Sequence, residues 1–331
     1  MARVVLGIGM SHSPLLALPG ERWVERGNDD RANKGLNTID GRFVDYDTVN
    51  ATVKDRYADI AVTDTFVRQD KEAQDALDRL ADDFARLKPD VAVIVGDDHY
   101  ELFSPANMPA IAIYHGKEIL THEADKHDEG SWRNTVAAMY AMDEVHSYPA
   151  HAELGEKLIE QLVDRDFDIG SSARVDDPKT LGFGHAYGFV AERIFRGREV
   201  PIVPVMLNTY FPPNAPTPRR CYNFGMALKE SLEAIPMDLR VAVIGSGGLS
   251  HFIVEEELDR QILTALENHD GDVLRNIPVN ALKSGSSEIR CWIAAGGAFR
   301  GLKHQWSEYV PARRTPAGTG IGLGFAAWYN A

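Results

Sequence analysis

The chain has 331 residues, with 35 Lys and Arg against 49 Asp and Glu, a formal net charge of −14. That length is ample for one large α/β core, and that charge argues against a phosphate backbone or an anionic membrane as partner. No apolar run approaches the ~20 residues of a membrane-spanning helix, the N-terminus lacks the pattern of a cleaved leader, and two cysteines, Cys221 and Cys291, make no disulfide framework, so the expectation is a soluble, cytoplasmic protein.

In chain order, Val4-Val5-Leu6 begins an apolar run that reads as a buried strand and then breaks into Gly9-Met10-Ser11-His12-Ser13-Pro14. His12 therefore stands just past the carboxyl end of a core strand, where open α/β sheets place their ligand crevices. The plain alternative is a histidine that merely closes a strand. Residues 20–64 are polar and weakly periodic, an excursion from the core that serves either as a solvated cover or as a lid or subunit contact. Ala73, Leu77, Leu80, Phe84 and Leu87, spaced 4, 3, 4 and 3 apart, predict an amphipathic helix over about 70–87, ended by Pro89. Val91 to Val95 reads as a strand buried on both faces, and it runs into Gly96-Asp97-Asp98-His99.

Residues 109–114 predict a short strand. Residues 116–149 have no firm pattern, and His122 and His127 are five apart rather than the four a zinc-protease helix needs, so a solvated loop is the default there. A helix over 151–165 and a strand over 167–169 follow. Next comes Gly184-His185, a glycine-flanked histidine leading into a helix at 189–195. A strand at 200–207, a helix at 219–234 and a strand at 240–244 come next. The last of these ends in Gly245-Ser246-Gly247-Gly248-Leu249-Ser250-His251, the third strand that stops at glycines and delivers a histidine. That turn could also form an anion-binding nest. No Lys-Ser/Thr pair follows it, and the chain has no Gly-x-Ser-x-Gly elbow, which counts against a phosphate loop and an α/β-hydrolase. Helices are expected at 255–267 and 286–299, with Glu288 in the first turn of the latter, where a carboxylate also suits the helix dipole. Glycine-rich 318–325 reads as a closing strand or a site wall. Alternating strands and helices predict an α/β fold in one domain, with a central mixed sheet flanked by helices and the crevice at strand ends.

Two imidazoles and one carboxylate drawn from His12, His99, His185, His251 and Glu288 would make the ligand set of a non-haem Fe(II) with open positions, leaving two histidines for proton transfer. A Zn-dependent hydrolase is the rival on the same residues.

The runs Gly7-Ile8-Gly9-Met10-Ser11-His12-Ser13-Pro14, Asp97-Asp98-His99, Gly184-His185, Pro212-Pro213 through Cys221, Gly245 through His251 and Ser284 through Trp292 resemble the extradiol ring-cleaving dioxygenases typified by the catalytic β subunit of protocatechuate 4,5-dioxygenase. That group includes the gallate and 3-O-methylgallate enzymes. The resemblance implies Fe(II) held by His12, His99 and Glu288, His251 as acid–base residue and His185 as a second active-site histidine. It also implies an aromatic diol and O2 as substrates and a homodimer or larger assembly. Some members use a separate small subunit over the site, and here residues 20–64 are expected to take that place. The family's Ser-Asn pair for a substrate carboxylate is missing; Thr315 and Thr319 stand in that region as candidates. Asp97 and Asp98 are candidates for orienting His99, with a solvated turn as their plain alternative. A non-catalytic binding protein of the same fold remains a further alternative.

Overall fold

The computed structural model describes residues 1–330. Nine strands form one mixed sheet. They are β1 (Arg3–Met10), β2 (Val91–Asp97), β3 (Ile111–Tyr114), β4 (Gly170–Ser172), β5 (Ile202–Leu207), β6 (Arg240–Ser246), β7 (His251–Ile253), β8 (His304–Arg313) and β9 (Thr319–Trp328). Their order is β7-β9-β1-β6-β2-β5-β3-β4, with β8 on the other side of β9. The expected α/β class with a central mixed sheet is what the chain adopts.

The middle of the sheet is parallel. β1 pairs with β6, β6 with β2 and β2 with β5, so the four carboxyl ends share one edge of the sheet. Register sets Met10 beside Ser246 and Asp97 beside Leu207. The continuous apolar runs are explained by two cores. Val93, Val95 and Val243 face one, and Ala92, Ile94, Ala242 and Ile244 face the other. A strand buried on both faces has no polar side to show.

Helix α1 (Trp23–Ala32) lies in the N-terminal excursion, which also holds a short hairpin and a helix at Tyr46–Val53. Helix α2 (Thr63–Leu87) buries Ala73, Leu77, Leu80 and Phe84 as its spacing predicts. It starts earlier than expected because Phe66 and Gln69 extend the same buried face, and it ends where Lys88 turns left-handed before Pro89. Helix α3 (His185–Val190) begins at the histidine itself, ahead of the expected start at 189. Helix α4 (Pro218–Ala234) packs with α5 (Ile289–Ala298) on the first core.

Three local expectations shift. The strand placed at 167–169 forms at Gly170–Ser172 instead. Glu288 closes a 3₁₀ turn, Ser284–Glu288, and so enters α5 rather than lying in its first turn. Residues 116–149 carry a helix at Trp132–Met139 and two short paired strands, not a bare loop. Strand β8 was not foreseen: Pro311 within it argues against a strand interior, and β8 tolerates it by pairing with β9 alone. Among the described residues no helix is long and apolar enough to cross a membrane.

Candidate metal centre and active site

The parallel strand ends converge on one cavity of about 340 Å³, whose lining includes His12, His99, His185, His251, Glu288 and Tyr140. At its foot, His12 Nε2 is 3.2 Å from Glu288 Oε2 and 3.7 Å from Asp97 Oδ1. His99 Nε2 is 2.9 Å from Asp97 Oδ2 and 4.0 Å from Glu288 Oε1. His251 Nε2 is 3.1 Å from Glu288 Oε1. His185 Nε2 stands 3.9 Å from Asp97 Oδ1.

The tautomer of His12 follows from its neighbours. Ser246 spends its proton on the Ala186 carbonyl at 2.8 Å, so its oxygen can only accept from His12 Nδ1 at 3.0 Å. His12 Nε2 therefore presents a lone pair to the cluster. It is buried and makes no hydrogen bond, and neither does either carboxylate oxygen of Asp97, despite the short contacts. Buried lone pairs without donors cost free energy unless a cation meets them. Donor atoms of His12, Asp97 and His185, and likewise of Asp97, His99 and Glu288, lie within 4.8 Å of one another. Imidazole and carboxylate donors in this arrangement fit a divalent metal ion.

Glu288 is held by the backbone as well as by imidazoles. The Gly248 N–H donates to its Oε2 at 2.6 Å, one backbone donor from the glycine-rich turn, whose neighbouring N–H groups of Gly247 and Leu249 go instead to the Met10 and Gly322 carbonyls. Burial pushes the Glu288 carboxyl up, but the His251 imidazole, its Nε2 3.1 Å from Oε1, outweighs this and holds it well below the usual carboxylate range. The His251 ring is clasped between Gly248 and Gly285. A Cβ at Gly248 would meet the ring Cε1 at 2.7 Å, and one at Gly285 would collide with the opposite edge. Its Nδ1 donates to the Leu249 carbonyl at 2.8 Å, which leaves Nε2 as the atom facing the cavity.

His185 Nδ1 donates to Glu101 Oε1 at 2.5 Å. Burial opposes the charged imidazole, but Glu101 prevails and pushes His185 up to about 10. Burial likewise raises Glu101, and the His185 cation outweighs it to bring that carboxyl down to about 2. The pair is therefore ionic. The Tyr140 ring lies 5.4 Å from that of His185, and burial keeps its phenol neutral.

With this geometry, a family comparison discriminates. Residues 63–322 match the model of the catalytic LigB subunit of aromatic ring-opening dioxygenase. The chain belongs to this family. It is similar to a gallate dioxygenase of Pseudomonas putida, with 30% identity over 175 residues, covering 49% of this chain and 50% of that protein. It is similar also to 2,3-dihydroxyphenylpropionate/2,3-dihydroxicinnamic acid 1,2-dioxygenases. The Comamonas testosteroni protein is 30% identical over 168 residues, 49% of this chain and 43% of the relative. The Mycobacterium ulcerans protein is 28% identical over 242 residues, 73% of this chain and 55% of the relative. The chain thus spans about half the length of the curated relatives it matches.

In this LigB-family chain the five residues singled out at strand ends and helix starts do meet at one cavity. The others fall elsewhere. Asp97 sits inside the donor cluster, on the Nε2 side of His99, rather than behind the ring as an orienting partner. Asp98 turns away and accepts the backbone N–H groups of Tyr100, Leu102 and Phe103, which is the turn-capping role. Burial and the nearby Glu101 carboxylate push it up to about 7. Thr315 and Thr319 do not line the cavity; their hydroxyls pair at 2.7 Å, and Thr319 donates to Asp30 at 2.9 Å. The threonines are spent on the fold, which removes them as carboxylate contacts. Sequence reasoning missed Glu101, two residues past His99, although an acid at that offset from a strand-end histidine was visible. It also missed Ser246, Tyr140 and the cavity arginines Arg26, Arg133 and Arg314.

Proposed function

We propose that the chain is a non-haem Fe(II)-dependent extradiol dioxygenase that opens the ring of a catecholic, carboxylated aromatic with O2. The observation that carries this reading is the group of buried, donor-free lone pairs on His12 and Asp97 beside the ionised Glu288, at the foot of a cavity large enough for one aromatic ring. His12, His99 and Glu288 would hold the iron, with the Asp97 carboxylate alongside. Ferrous ion with open positions supplies a common site for two adjacent diol oxygens and O2, which makes proximity its main contribution.

The chain's own groups handle protons and placement. His251 has Nδ1–H fixed on a carbonyl, so the proton it exchanges with a substrate hydroxyl is the one on Nε2, the atom that also meets Glu288 Oε1 at 3.1 Å. His185, kept cationic by Glu101, is a second donor whose Nε2 faces the cluster. Val136, Ala137 and Met142 give the ring an apolar wall. Both oxygen atoms end in the product, and the bond opened lies beside the two hydroxyls, giving a semialdehyde or the corresponding acid. An assembly of two or more copies and a cytoplasmic location belong to the same reading. The exposed apolar side chains of Ile39 and Phe43 in the excursion support the former, and sedimentation tests it.

The experiment is anaerobic Fe(II) loading followed by oxygen uptake across gallate, methylgallate, protocatechuate and an aminophenol. The expected result is stoichiometric uptake, lost in air and restored by Fe(II) with ascorbate. Hydrolysis sustained by Zn without uptake would identify the rival enzyme, and diol binding without turnover would identify a binding protein.

A further inference from the structure

An unused charge lies on the wall of the cavity. Asp30, in α1, is fully buried and accepts from two arginines. Arg26 Nη1 reaches Oδ1 at 3.0 Å; Arg314 Nη2 reaches Oδ1 at 3.1 Å and its Nε reaches Oδ2 at 2.9 Å. With Thr319 also donating to Oδ2, the carboxylate is saturated. Two guanidinium groups share one carboxylate, so one positive charge is left over where Arg314 is 3% and Arg26 15% exposed. A third arginine, Arg133, meets Asp29 at 2.7 Å; Asp29 also stands 4.0 Å from Arg26, so three guanidinium groups share two carboxylates and one positive charge is still in excess. Such an excess in a desolvated place favours an incoming anion.

Both Arg26 and Arg314 line the same cavity as His251 and Glu288. Nε and Nη2 of Arg26 and Nη1 of Arg314 make no hydrogen bond among the described residues. The Arg26 guanidinium is fixed in place, 5.5 Å from the ring of Phe252, the neighbour of His251, and 5.9 Å from that of Trp132. Glycine at 27 lets α1 come close enough to do this: a Cβ there would meet the Arg314 carbonyl oxygen at 2.8 Å.

We propose that Arg26 and Arg314 form the subsite for a carboxylate borne by the aromatic diol, with Asp30 as the positioning residue that aims both forks. A carboxylate presents two oxygens in one plane, the shape a guanidinium recognises best. The proposal rests on the ring-opening reading for the rest of the substrate, while the anion site itself does not need the metal.

Two measurements separate these. In the first, benzoate is titrated calorimetrically into metal-free protein. Arg26→Gln is expected to weaken its binding about 30-fold, the loss of one charge-assisted hydrogen bond, and Arg26→Lys to recover part of it. In the second, kcat/KM is compared for a carboxylated catechol and its methyl ester on the Fe(II)-loaded enzyme. Arg26→Gln should shrink the preference for the acid by a similar factor, mainly through KM. Arg314→Gln is the weaker test because it leaves Asp30 partly unpaired, so Arg26 carries the decision. Benzoate that ignores the wild-type protein, or binds it and Arg26→Gln alike, overturns the subsite; so do acid and ester rates that fall together. Arg26-dependent benzoate binding without oxygen uptake on any diol would keep the subsite and overturn the dioxygenase reading.

Discussion

At the foot of the cavity, Asp97, Ser246, His12 and His99 stand at or just past the carboxyl ends of three adjacent parallel strands, whereas most of its wall comes from α1, residues 124–142 and Arg314, which belong to no strand of the sheet. The foot is fixed by ladder register and by two cores, and hydrogen bonds of 2.6–3.0 Å from His12 Nδ1, to Glu288 and from His251 Nδ1 orient its side chains, while His12 Nε2 and the Asp97 oxygens stay without partners. The wall is fixed by one buried carboxylate and a few aromatic contacts. The division suits the chemistry: donor atoms for an ion must be placed to a fraction of an ångström, while recognition of a substituent can be altered on a separate element without moving them. Substitutions at the foot should therefore change metal content and turnover, and those at the wall should change which substrate is preferred.

The largest effect is expected at the foot. Glu288→Ala should strip iron and lower turnover by at least about 10³-fold, the scale of losing a metal-centred step, with metal analysis and oxygen uptake read on the same preparation. Full iron occupancy would show that Asp97 suffices and would erase the distinction drawn for Glu288. His251→Ala should retain iron and lose about 10²–10⁴-fold in kcat, the usual weight of a general acid–base group. Iron lost, with activity recovered by supplementation, would move His251 from proton transfer to metal retention.

The wall should respond more gently. Gly27→Ala forces α1 off the Arg314 carbonyl and should reduce the acid-over-ester preference about 3–10-fold, within the range of one strained charged contact, at unchanged iron content. Loss of iron in this variant would mean that foot and wall are not independent. The smallest effect is expected at Asp98→Ala, which removes the acceptor for three backbone N–H groups of the 98–103 turn and should cost about 1–2 kcal/mol in denaturant unfolding. A loss of iron there would give Asp98 a role at the metal that its hydrogen bonds do not suggest.

The same division governs what could be read from the amino-acid sequence. Strands buried on both faces must be unbroken apolar runs, so the glycines and histidines that end them stand out. His12, His99 and His251 were legible for that reason, and the residues at helix starts, His185 and Glu288, by their glycine- and serine-rich flanks. The side-chain direction at a strand's last residue was not legible, and Asp97 points into the donor cluster where an orienting role was expected. Nor was the wall. The helix Trp132–Met139 is eight residues long and faces a cavity on one side, so it leaves no sustained period. The hydroxyls of Thr315 and Thr319 meet each other across a turn, a pairing that spacing alone does not reveal. Arg26 and Asp30 looked like any exposed charged stretch until Arg314, from the far end of the chain, closed on them.

The most direct test of the account is diffraction at the iron absorption edge from crystals of the Fe(II)-loaded protein. The account predicts one anomalous peak within bonding distance of His12 Nε2, His99 Nε2 and the Glu288 carboxylate. A peak bounded instead by His12, Asp97 and His185, or no peak at the foot of the cavity, would contradict it.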